Sequence, residues 1–168
     1  EALRVMCPSC DLTVIKHLVS VLNMRATPSR NKAAKIKHPF EIWGAACKAM
    51  DDAHTTDELT PLHRSCAYRD ALALGLLALR PIRLKNLTQL TLSEHLRFDG
   101  SHWQCSFSGC ETKDKQPLHF ALPTDVTFVT CFERYLTEHR PVLLRDPHDE
   151  TANLLLSQLT GPLWISIR

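Results

Sequence analysis

The sequence predicts an α+β domain, mostly helical, with a small antiparallel β-sheet. Three observations carry that prediction. Apolar residues recur at helical spacing in several separate segments, the period switches to strict alternation after Leu92, and prolines at 28, 61, 81 and 141 punctuate the pattern.

The first segment, from Asp11 to about Arg25, carries Val14, Ile15, Leu18, Val19 and Leu22, one apolar stripe on a helix with Asp11 as its cap. Thr27-Pro28-Ser29-Arg30-Asn31 breaks the pattern, because a residue before proline avoids helical angles and Ser and Asn compete for backbone hydrogen bonds. A linker to His38-Pro39 follows. A second helix is expected from Phe40 to about Ala53, buried through Phe40, Ile42, Trp43, Ala46, Cys47 and Met50 and ended by Asp51-Asp52.

Thr60-Pro61 is a helix start, a threonine cap followed by proline at a position whose N–H is not needed. The helix it opens, to about Leu79, holds Leu62, Cys66, Ala67, Leu72, Leu76 and Leu77 around much of its circumference and should be central. Arg80-Pro81 interrupts it, and residues from Ile82 to Leu90 restart as a shorter helix with Leu84, Leu87 and Leu90 at helical intervals. In the alternating region, Trp103, Cys105 and Phe107 share one face of a strand that Asp99-Gly100 joins by a hairpin to Leu96-Arg97-Phe98. Leu118, Phe120 and Leu122 make another strand, with the polar turn Thr112-Lys113-Asp114-Lys115-Gln116 between the two. Thr124 or Asp125 can cap a last long helix that packs Val126, Val129, Phe132, Leu136 and Tyr135 and stops at Arg140-Pro141. The chain then runs into Leu154-Leu155-Leu156.

At 168 residues and 44% hydrophobic composition the chain can bury a sizeable core. No apolar run approaches the roughly 20 residues of a membrane helix, and no leader pattern opens the chain, so the expectation is a cytoplasmic protein. The seven cysteines are odd in number and are expected to be reduced, mostly buried thiols. Cys7-Pro8-Ser9-Cys10 has the gap of a zinc half-site, but no second pair follows at ligand spacing, so neither a metal nor a cofactor is expected. Net charge is only +2, yet its distribution is uneven. Lys16, Arg25, Arg30, Lys32, Lys35, Lys37 and Lys48 face only Glu41 as a counter-charge.

Two junctions carry chemistry. Pro81-Ile82-Arg83-Leu84-Lys85-Asn86-Leu87-Thr88-Gln89-Leu90 resembles the motif around the first catalytic arginine of the tyrosine recombinase (phage integrase) family, T-G-L-R-x-x-E-L-x-x-L. Arg80-Pro81 stands where the family has Thr-Gly, and Asn86 where it has Glu. Glu111-Thr112-Lys113-Asp114-Lys115-Gln116-Pro117-Leu118-His119-Phe120-Ala121-Leu122-Pro123 resembles the family's β-hairpin T-K-T-x-K-x-R-x-V-P-L. The resemblance implies an integrase-like catalytic domain over residues 38–168, and in residues 1–37 the end of a helical core-binding domain that clamps DNA.

It also implies roles. Arg83 would hold two non-bridging oxygens of a scissile phosphate and stabilise its transition-state charge. Lys113 would give a proton to the leaving 5′-oxygen, with Lys115 the other occupant available in the turn. Arg25, Arg30, Lys32, Lys35, Lys37 and Lys115 would contact the DNA backbone and position rather than read sequence. The implied function is site-specific recombination or integration on double-stranded DNA, in the cytoplasm at the nucleoid, by a full-length protein assembled as a tetramer.

No His in the sequence has Arg three residues later, and Tyr68 and Tyr135, the two tyrosines, fall inside expected helices. The chain therefore reads as a fragment, a natural remnant or one half of a partnership, monomeric and inactive alone. Two alternatives stand beside the enzyme reading: a non-catalytic integrase-like DNA-binding module, and a helical protein-interaction domain kept soluble by its basic stretch.

Overall fold

The computed structural model describes residues 11–26, 35–144 and 160–165. Arg30, Lys32, Cys7, Cys10 and Leu154-Leu155-Leu156 lie outside the described residues. Contacts divide the chain into two compact units, Glu1–Ile36 and Lys37–Arg168. In the first, α1 (Thr13–Arg25) forms where the apolar period predicts it. Asp11 accepts a hydrogen bond from the Thr13 N–H at 2.9 Å, and Val14, Ile15, Leu18, Val19 and Leu22 are all exposed.

The second unit is α+β: α2 (Pro39–Thr55), α3 (Pro61–Leu79), α4 (Leu84–Thr88), β1 (Thr91–Leu92), β2 (Leu96–Phe98), β3 (Trp103–Phe107), β4 (Leu118–Ala121), α5 (Val126–Arg134), a π-helical turn (Tyr135–His139), α6 (Arg140–Leu144) and β5 (Gly161–Pro162). α2 and α3 pack closely: a Cβ on Gly75 would meet the Trp43 ring at 2.7 Å, so only glycine fits there. The core runs from Met50, Tyr68, Leu72 and Leu76 through Leu90, Leu96 and Phe107 to Phe128, Phe132 and Leu163.

α2 continues beyond Asp51-Asp52, because those acids take the solvent face while Ala46, Met50 and Ala53 keep the buried period going. Phe40, Leu62, Ala67 and Val126, expected inside, are exposed; the buried faces are carried instead by residues such as Ser65, Tyr68 and Phe128. The helix expected over 82–90 shrinks to α4. Proline at 81 holds Arg80 extended (φ −137, ψ 97), and the chain stays extended through Arg83 (ψ 137).

The sheet order is β4-β3-β2-β1-β5. It is mixed rather than wholly antiparallel, since β1 pairs β2 in parallel through Leu92 and Leu96. The two expected hairpins are present, with Leu96 opposite Cys105 and Cys105 opposite Phe120. Gly100 takes the positive φ of 98° that the β2–β3 turn requires. The two-residue strands β1 and β5 carry too little alternation to be read from sequence.

Pro141 does not end the last helix. Asp125 caps its start by accepting from the Thr127 and Phe128 N–H groups. Ahead of the proline the turn widens, and the Arg140 N–H donates to the Tyr135 carbonyl, so the helix runs on to Leu144. Arg140 is fully buried and donates to the Thr160 and Pro162 carbonyls, which fastens β5.

Candidate functional site

Arg83 sits at the corner between α3 and α4. Sequence placed it in the first turn of a helix; it is the N-cap of a five-residue one, and contributes position rather than a strong helix dipole. The corner itself is rigid. Ile82 and Leu87 are buried, the Trp164 indole N–H donates to the Leu87 carbonyl at 2.7 Å, and the Leu163 N–H donates to the Leu90 carbonyl at 2.8 Å. From this base the Arg83 side chain reaches out half exposed.

Opposite lies the β3–β4 turn, and its base is held by a carboxylate. Glu111 accepts from the Ser108 N–H at 2.8 Å and from the Ser108 hydroxyl, and its other oxygen meets His95 Nε2 at 2.7 Å. Those bonds, the Ser108 hydroxyl first and then the imidazole, pull the Glu111 carboxyl down to about 2. His95 is buried, and its Nδ1 accepts the Thr91 N–H at 3.0 Å, which leaves Nε2 as the protonated nitrogen facing Glu111. Nearer the tip, the Thr112 hydroxyl donates to the Gln116 carbonyl at 2.6 Å. Gly109 lets the returning strand pass, since a Cβ there would meet the Lys115 carbonyl oxygen at 2.8 Å. Lys115 adopts a left-handed φ of 54°, a conformation costing a non-glycine residue about 1 kcal/mol or more.

Corner and turn face each other across a cleft of about 420 Å³, with Arg80, Ile82 and Arg83 on one wall and Thr112, Asp114 and Phe120 on the other. Arg83 Nη2 donates to Asp114 Oδ2 at 3.3 Å. Both groups are solvated, so the pair is worth at most about 1 kcal/mol and can exchange partners readily. Sequence reading missed Asp114 as the residue at the arginine's side, although it lies inside the hairpin motif. Lys113 and Lys115 flank it, both exposed, and neither is on the wall of the cleft.

The other expected site residues that the structure describes belong to both units. Arg25 closes α1 and Lys35 follows in the same unit; Lys37 begins the second unit and lies 3.9 Å from Glu41, both side chains in solvent. Tyr68 and Tyr135 are fully buried, as their helical positions predict. The Tyr68 hydroxyl donates to the Cys131 carbonyl and that of Tyr135 to the Leu163 carbonyl, and burial pushes both phenols above their ordinary range. Among the described residues Cys47, Cys66, Cys105, Cys110 and Cys131 are free thiols, of which Cys110 is exposed. No described helix is long and apolar enough to cross a membrane. Comparison with family models, with curated proteins and with solved structures returned no match.

Proposed function

We propose that the cleft between the Arg80–Arg83 corner and the β3–β4 turn binds the sugar–phosphate backbone of double-stranded DNA, with Arg83 and Lys113 in the places of the tyrosine recombinase arginine and lysine. The observation that carries this reading is the 3.3 Å contact between Arg83 and Asp114, the neighbour of Lys113. A guanidinium on a fixed corner and a flexible ammonium on an anchored turn can approach the same phosphodiester from two sides. The fork of Arg83 suits two non-bridging oxygens, and the Lys113 ammonium suits proton donation to a departing 5′-oxygen.

On this reading Asp114 occupies Arg83 until phosphate displaces it, and its own charge opposes DNA. Arg25, Arg30, Lys32, Lys35 and Lys37, and Lys115 within the turn, would add further contacts to the DNA backbone, positioning rather than reading sequence. Strand cleavage and rejoining also need a nucleophile. With Tyr68 and Tyr135 sealed in the core, this chain alone is expected to bind DNA and form no covalent adduct with a suicide substrate.

Fluorescence anisotropy with duplex DNA over a salt series tests the proposal. Affinity should fall linearly on a log–log scale, by about 0.9 per phosphate contacted. Arg83→Ala should weaken binding by about tenfold or more and flatten that slope by about one contact. Asp114→Asn should tighten binding a few-fold. Affinity insensitive to salt, or unchanged by Arg83→Ala, would rule the reading out.

A further inference from the structure

A second set of polar side chains assembles away from the cleft, where α2, α3 and the π-helical turn meet. We propose that His54, Glu138 and His139 bind a divalent transition-metal ion of the zinc type, with Ser65 orienting the His139 ring. The three side chains each offer a ligand atom, and these atoms all lie within 4.8 Å of one another. A tetrahedral ion with ligands at about 2.1 Å requires donors about 3.4 Å apart. His54 and Glu138 stand at the solvent edge with side-chain exposures of 36% and 53%, free to close that gap.

His139 is the fixed member and the one that points to a ligand. It is 7% exposed, and its Nε2 is buried with no hydrogen-bond partner. An orphaned buried nitrogen is costly, and native structures seldom leave one without a reason. The other ring nitrogen, Nδ1, lies 3.2 Å from the Ser65 hydroxyl, and Tyr68 stacks on the ring face at 4.0 Å. An imidazole whose one nitrogen is tied to an oxygen while the other is bare has the orientation that metal-ligating histidines take from their surroundings.

The backbone contributes as well. Glu138 and His139 are the last two residues of the π-helical turn, an irregularity found disproportionately at functional sites. The pocket they line with His54 and Ser65 measures about 180 Å³, room for an ion and completing water, given the ≈30 Å³ share of each water in the liquid. Two imidazoles and a carboxylate with a fourth position open to water form a zinc ligand set. Arg64 on the same wall is a like charge, but its guanidinium donates to the Thr56 carbonyl at 3.2 Å and lies 3.7 Å from Asp57. The Glu138 carboxylate supplies the compensating negative charge at the site.

The test is titration of the metal-stripped full chain with Co²⁺ alone, followed by displacement with Zn²⁺. One equivalent should bind with the visible bands of tetrahedral cobalt and without the near-ultraviolet band of thiolate ligation. His54→Ala and Glu138→Gln, both at the solvent edge, should each weaken binding at least tenfold, and Ser65→Ala about tenfold, with Ser65→Thr restoring it. A Cys7→Ser, Cys10→Ser double variant should bind like the parent. Zinc should raise the melting temperature of the parent and not of His54→Ala. Absence of bound cobalt, a thiolate-type spectrum, or affinity unchanged by His54→Ala and Glu138→Gln would each overturn the proposal and leave a simple His54–Glu138 ion pair.

Discussion

The Arg83 cleft and the His139 pocket organise polar side chains in opposite ways. In the cleft the backbone is anchored, by Trp164 on one side and by the Glu111–His95 pair on the other, while the charged tips of Arg83 and Asp114 remain in solvent. In the pocket the key ring is itself immobilised, between Tyr68 and Ser65, with one nitrogen already desolvated. Solvated tips lose little when they exchange partners and suit a long, variable polyanion. A preorganised, desolvated ring suits one small ligand of fixed geometry.

That contrast can be broken by stability measurements. The largest effect is expected for His139→Ala, which removes a buried ring and leaves the Ser65 hydroxyl without its partner: about 2–4 kcal/mol lost in guanidinium denaturation. A loss under about 1 kcal/mol would mean the ring is not held as described. Next comes the pH response of the anchored turn. The Glu111 carboxyl lies below its ordinary 4.5, at about 2 in the fold, so the unfolded chain binds the extra proton first. Its stabilising contribution is complete above about pH 4.5 and is lost as pH falls toward 2. Glu111→Gln should flatten that part of the stability–pH profile; an unchanged profile would remove Glu111 as the anchor. The smallest effect belongs to Arg83→Ala, within about 0.5 kcal/mol of the parent, because its ion pair is exposed. A stability cost as large as that of His139→Ala would recast Arg83 as a structural residue.

The two regions also differ in how far the sequence reveals them. The cleft is legible because its parts are local: a proline corner, a hairpin and two short motifs each leave a contiguous trace. Asp114 could have been found there too, as the one acid between the two lysines of the turn. The pocket leaves no such trace. His54 lies in the last turn of one helix, Ser65 in the second turn of the next, and Glu138 and His139 come from a widened turn just ahead of Pro141. Proline read locally says that a helix ends; the π turn that lets it continue is a tertiary adjustment. Exposure departs from the apolar pattern for a related reason, since Phe40, Leu62 and Val126 lie near helix starts, where the packed stripe has not yet turned inward.

The central claim, that Arg83 and Lys113 act on one phosphodiester, is tested most directly by a double-mutant cycle on DNA affinity with Arg83→Ala, Lys113→Ala and the pair. Two groups sharing a phosphate should be coupled by about 0.5 kcal/mol or more, the double variant losing less than the sum of the singles. Strict additivity, or a Lys113→Ala variant that binds like the parent, would contradict the claim.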